Sequence, residues 1–107
     1  MAEIEMNHPG KNALGSRLIA WLEDELARAG AEPLLLTGAG DAFSAGLDLK
    51  EIAASDIEAL ERMLTRLDRL CRRLYEHPAP TVALVNGHAI AGGCVLQCCA
   101  DRRIAAR

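Results

Sequence analysis

At 107 residues the chain holds one domain at most, long enough to bury a core, and a composition half hydrophobic but only 3 % aromatic assigns that core to Leu, Ala, Ile and Val. A net charge of −3 with 25 % charged residues offers no basic excess to a nucleic-acid backbone, so nucleic acid is set aside as a partner. No apolar run approaches the roughly 20 residues of a membrane span, and the opening MAEIEMNHPGK lacks the basic and apolar regions of a signal peptide, which predicts a cytoplasmic protein away from the membrane.

GSRLIAWLEDELARAG places Leu18, Trp21, Leu22 and Leu26 at three- and four-residue spacing with charges on the other side, and it ends at Gly30. This predicts an amphipathic helix with a glycine stop. EPLLLTG follows as a short aliphatic run between Pro33 and Gly38, the pattern of a buried strand. After a glycine-rich segment, DLKEIAA predicts a short helix. A longer one runs from Asp56 to Glu76, with Ile57, Leu60, Met63, Leu64, Leu67, Leu70, Cys71 and Leu74 as its apolar stripe and His77-Pro78-Ala79-Pro80 as its stop. TVALVNG predicts a second buried strand, which passes through GHAIAGG into the helical CVLQCCA. DRRIAA closes the chain as a further strand, Arg102 to Ala106. Alternating strands and helices without a linker predict one α/β domain over residues 1–107.

Cys71, Cys94, Cys98 and Cys99 are expected as reduced thiols. C-x3-C-C is not a usual zinc spacing, and Cys94 and Cys98 stand one helical turn apart among apolar neighbours. Small buried core residues are therefore expected, and no metal.

The glycine clusters LTGAGDAFSAGLDLKE and GHAIAGG both fall where a strand ends and a helix begins, the position at which open α/β sheets gather ligands. A helix starting near Gly92 would aim unpaired N–H groups and the positive end of its dipole outward. Each cluster taken singly can also be a tight turn. Neither is a P-loop, because GAGDAFSAG has no Gly-Lys-Ser/Thr ending, and the dinucleotide fingerprint fails because Phe43 holds the place of its third glycine.

Taken together, TGAGDAFSAGLDLKEI and HPAPTVALVNGHAIAGGCVLQCCADRRIAA resemble the enoyl-CoA hydratase/isomerase, or crotonase, family, and MNHPGKNALGSRLIAWLEDEL is similar to its first strand and helix. The resemblance implies a crotonase-like spiral of ββα units, of which this chain would hold only the N-terminal repeats. It also implies an acyl-CoA thioester as substrate, with coenzyme A entering as part of that substrate rather than as a bound cofactor, and lyase or isomerase chemistry. By the same resemblance the thioester carbonyl is held between the backbone N–H groups of Leu47, after Gly46, and Gly92, in IAGGC. A backbone donor leaves the side chain free, so Leu at position 47 is no obstacle. The resemblance further makes Ser44, Ala45, Gly46 and Asp48 candidates for contact with the coenzyme. Asp48 can equally cap the helix DLKEIAA.

Two departures from the family pattern carry expectations of their own. Hydratases of the family place a glutamate three residues after the oxyanion glycine, where this chain has Val95, which cannot transfer a proton. The second glutamate of the pair would lie past Arg107, so the chain is expected to be a fragment or one piece of a longer protein. Its expected partners are then copies of itself, as a trimer or dimer of trimers at full length, or a complementing C-terminal chain. His88 can be a general base or a structural residue; Gln97 is expected at a helix polar position, and Asp101 in a turn before the last strand. The alternatives to an enzyme are a non-catalytic CoA-binding or assembly protein and an inactive fragment.

Overall fold

The structure, a computed structural model, describes residues 1–105. Its frame is a parallel four-stranded sheet in the order β1-β3-β6-β8, formed by β1 (Ala2–Met6), β3 (Leu34–Gly38), β6 (Thr81–Val85) and β8 (Arg102–Ala105). Ile4 pairs with Leu36, Leu36 with Ala83, and Ala83 with Arg103. Two small parallel pairs stand beside it: β2 (Ala13–Leu14) with β5 (Gly46–Leu47), and β4 (Ala42–Ser44) with β7 (His88–Ala89). The helices are α1 (Pro9–Asn12), a single distorted turn, then α2 (Ser16–Ala29), α3 (Leu49–Ala54), α4 (Ile57–Tyr75) and α5 (Gly92–Cys98).

The core lies between one face of the sheet and the helices. Strand residues alternate sides, so Ile4, Met6, Leu34, Leu36, Ala83 and Val85 point into it. Leu18, Leu22 and Leu26 of α2 meet them, as do Met63, Leu70 and Leu74 of α4 and Leu96 of α5. The expected stripe of α4 is thus narrower than its sequence: Ile57 is 76 % exposed and Leu64 42 % exposed, while Met63, Leu70 and Leu74 are buried. The strands are likewise buried on one face rather than two. Glu3 and Glu5 stand on the other, and Leu84 and Ile104 there are exposed.

The cysteine expectation is corrected. Cys94 and Cys98 are exposed and Cys71 and Cys99 half-buried. The cause is that α5 turns Gly93 and Leu96 to the core, which leaves the Cys94–Cys98 face outward. Among the described residues no group of three or more His, Cys, Asp or Glu side chains is placed to hold a metal. The last strand is observed as Arg102–Ala105, and Ala106 of the expected strand lies outside the described residues. Asp101 does more than turn the chain: its Oδ2 accepts from Thr81 N–H at 2.9 Å while its own N–H donates to Thr81 Oγ1 at 2.9 Å. This reciprocal pair fixes the start of β8 against β6.

Candidate functional site

Both glycine loops come to the same end of the molecule. Gly46 has φ +88°, a conformation glycine adopts without steric penalty, and it ends the turn from β4 into β5. A Cβ on Gly46 would sit 2.6 Å from the Ile90 carbonyl oxygen and 3.3 Å from the Gly92 nitrogen, so backbone meets backbone there. From the opposite side, a Cβ on Gly92 would lie 3.6 Å from the Leu47 nitrogen. Leu47 and Gly92 are both partly exposed at this junction.

The second loop is locked by close packing. A Cβ on Gly93 would lie 2.8 Å from Ser44 Cβ, and Ile90 N–H donates to the Ser44 carbonyl at 3.0 Å. Gly93 N–H donates to the Ile90 carbonyl at 2.8 Å and Val95 N–H to the Ala91 carbonyl at 3.0 Å. The amide of Gly92 opens α5 and has no carbonyl within its own helix to receive it. The turn into α5 passes through Ala91 at φ +47° and ψ −109°, a strained conformation for a residue with a side chain.

Of the other expected site residues, Ser44 is fully buried, with its hydroxyl and carbonyl both hydrogen-bonded inside the fold. Ala45 is half-buried, and its N–H donates to the Lys11 carbonyl at 2.9 Å. Asp48 caps α3, its Oδ1 accepting from Lys50 N–H at 3.1 Å and Glu51 N–H at 3.2 Å. That decides the capping half of its two roles. His88 is exposed on β7, its backbone N–H donating to Asp41 at 3.3 Å. Val95 is 56 % exposed on α5, and Gln97 donates to Cys94 Sγ at 3.5 Å.

Sequence reasoning missed three residues that hold the loops. Asn86 accepts from Gly38 N–H at 3.0 Å through Oδ1 and donates through Nδ2 to the carbonyls of Gly40 at 3.0 Å and Ala42 at 3.3 Å. Asn12 bridges to the same segment from the other side. Glu51 accepts from Ser16 N–H at 2.9 Å and also bonds the Ser16 hydroxyl, joining the start of α2 to α3. An Asn directly after an apolar run, as in VNG, is a local cue to such a turn. The Glu51 contact has no such cue.

A cleft of about 570 Å³ opens outside the β2–β5 pair, lined by His8, Gly15, Arg17, Trp21, Asp48 and Glu51 among others. Leu47 and Gly92 do not line it. The junction of the two glycine loops is therefore a separate feature, defined by backbone donors and not by cleft volume.

A family model described as enoyl-CoA hydratase/isomerase matches residues 1–107. The chain belongs to the enoyl-CoA hydratase/isomerase family. A putative enoyl-CoA hydratase from Thermus thermophilus is 39 % identical over 100 residues, which cover 91 % of this chain and 40 % of the relative. Among solved structures, enoyl-CoA hydratase from Bacillus anthracis superposes with a TM-score of 0.88 at 32 % identity, covering 96 % of this chain and 42 % of that one. The probable enoyl-CoA hydratase EchA3 from Mycobacterium tuberculosis gives 0.88 at 35 % identity, with 94 % and 44 % covered. The fold is thus the crotonase fold, matched to the N-terminal part of those chains. The chain spans less than half the length of these family members.

Proposed function

We propose that the chain binds an acyl-CoA thioester at the junction of the two glycine loops and polarises its carbonyl between the N–H groups of Leu47 and Gly92. The observation that carries this is the mutual approach of Gly46–Leu47 and Gly92, the latter 3.6 Å from the Leu47 nitrogen at its Cβ position. Two backbone donors on one oxygen favour the charge that accumulates there when the thioester becomes enolate-like. Each such fixed donor contributes about 3 kcal/mol in a site closed to water. The donors need no side chain, so Leu47 and Gly92 can serve under many substituents of the acyl group. Half-buried Ala45 and the carboxylate of Asp48, which keeps one oxygen outside its cap, are the contacts offered to the coenzyme, whereas Gly46 is buried with its N–H taken by Ser44 Oγ.

The reaction class is lyase or isomerase, and hydration is disfavoured. Val95 stands where a hydratase carries a water-handling carboxylate, and a general acid or base contributes roughly 10²–10⁴-fold. The same residue favours the second reading, a CoA-binding protein without turnover. A titration with dimethylaminocinnamoyl-CoA separates the two from an inactive chain: its absorption moves to the red when the thioester carbonyl is polarised. The expected result is a red shift reversed by crotonyl-CoA, with hydration of crotonyl-CoA near background. Absence of a shift at saturating protein overturns the site; rapid hydration overturns the role given to Val95.

A further inference from the structure

Asn12 is 2 % exposed and holds a left-handed backbone at φ +58°. Asn accepts that conformation more readily than most residues because its short polar side chain bonds locally. Its Oδ1 accepts from His8 N–H at 2.8 Å, which closes the α1 turn. Its backbone N–H donates to the His8 carbonyl at 3.1 Å, and its other two groups are directed at the first glycine loop: Nδ2 donates to the Phe43 carbonyl at 3.1 Å and to the Ala42 carbonyl at 3.5 Å, and its carbonyl accepts from Ser44 Oγ at 2.7 Å. The neighbouring Lys11 carbonyl accepts from Ala45 N–H at 2.9 Å.

Ser44 passes this constraint in two directions. Its Oγ accepts from Gly46 N–H at 3.2 Å, one residue before Leu47. Its carbonyl accepts from Ile90 N–H at 3.0 Å, and Gly93 packs against its side chain, on either side of Gly92. We infer that Asn12 is a positioning residue for both carbonyl-binding amides, acting through Ser44 on Leu47 to one side and Gly92 to the other. The inference rests on the thioester reading above. Asn12 touches no ligand; it fixes the separation of two donors that must meet one oxygen, and donors of this kind lose effect when displaced by as little as about 1 Å.

The test uses the full chain with two variants. Asn12→Asp keeps shape and the bond from His8 but turns a carboxylate oxygen toward the Ala42 and Phe43 carbonyls. Asn12→Gly keeps the left-handed turn without strain and removes the side chain. Both are titrated with free CoA and with dimethylaminocinnamoyl-CoA, and their folding is checked by circular dichroism. The expected result is a red shift reduced by roughly half or more at saturation, while the dissociation constant of free CoA changes less than about twofold. Should neither variant fold, Ser44→Ala, which removes the hydroxyl link from Asn12 to Gly46, is measured for the red shift alone, with the same reduction expected. Folded variants with the parent's full shift overturn the inference alone, as does a set in which no variant folds, since Asn12 then serves stability. A parent chain that gives no shift overturns the thioester reading, and the inference falls with it.

Discussion

Gly46 and Gly92 meet backbone to backbone: a Cβ placed on the first would stand 3.3 Å from the nitrogen of the second. Two loops far apart in sequence are closed on each other there, and Gly46 adds a left-handed φ of +88°. Gly46→Ala should destabilise the fold by about 2–4 kcal/mol, the sum of left-handed strain and a displaced backbone contact. Urea denaturation measures it. An unchanged midpoint would mean that the loops are not closed on each other at this position.

Ala91 predicts the opposite sign. It carries φ +47° and ψ −109° directly before Gly92. Ala91→Gly relieves strain of about 1–3 kcal/mol while adding about 0.4–1 kcal/mol of unfolded-state freedom. The expected outcome is a net gain in stability, read as a higher urea midpoint. A lower midpoint would show that Ala91 is not strained.

The thiol of Cys71 links the core to alkaline stability. Burial first, and the neighbouring Cys99 second, push it from its ordinary 9.0 up to about 12. Below pH 9 folded and unfolded chains both keep this proton, so stability there is independent of Cys71. Between about pH 9 and 12 the unfolded chain loses it and the folded chain retains it, so stability falls as pH rises. Cys71→Ala should flatten that alkaline fall in the urea midpoint. Labelling with a thiol reagent at pH 8 should reach exposed Cys94 and Cys98 before Cys71. Equal rates for all four would contradict the burial that raises Cys71.

The uncovered sheet face predicts association. β8 is the last strand in the order β1-β3-β6-β8, and one of its edges has no strand partner among the described residues. Ile104 on this strand is 58 % exposed, and Ile90 and Val95, just before and within α5, are each 56 % exposed. Free strand edges and apolar patches favour pairing with another chain. Sedimentation velocity at low micromolar concentration should show self-association. A single monomer with a sharp, reversible melt would show that this chain closes its own core.

The helices and strands were legible in the sequence because their signals are local. Leu18, Leu22 and Leu26 announce α2 by spacing alone, and the aliphatic runs before Gly38 and Asn86 announce β3 and β6. The two glycine motifs were legible as well, and their order along the chain carried the family. Tertiary structure decided what no spacing encodes. Asn12 and Ser44 are polar residues of ordinary appearance whose burial follows from the meeting of α1 with the β4 loop, and Glu51 reaches Ser16 only because α3 folds back on α2. The exposure of Cys94 and Cys98 likewise depends on which face of α5 turns to the core, the face on which Gly93 packs against Ser44. Periodicity gives a helix an apolar side, but the partner that side meets and the polar groups trapped beneath it are fixed only when distant segments pack.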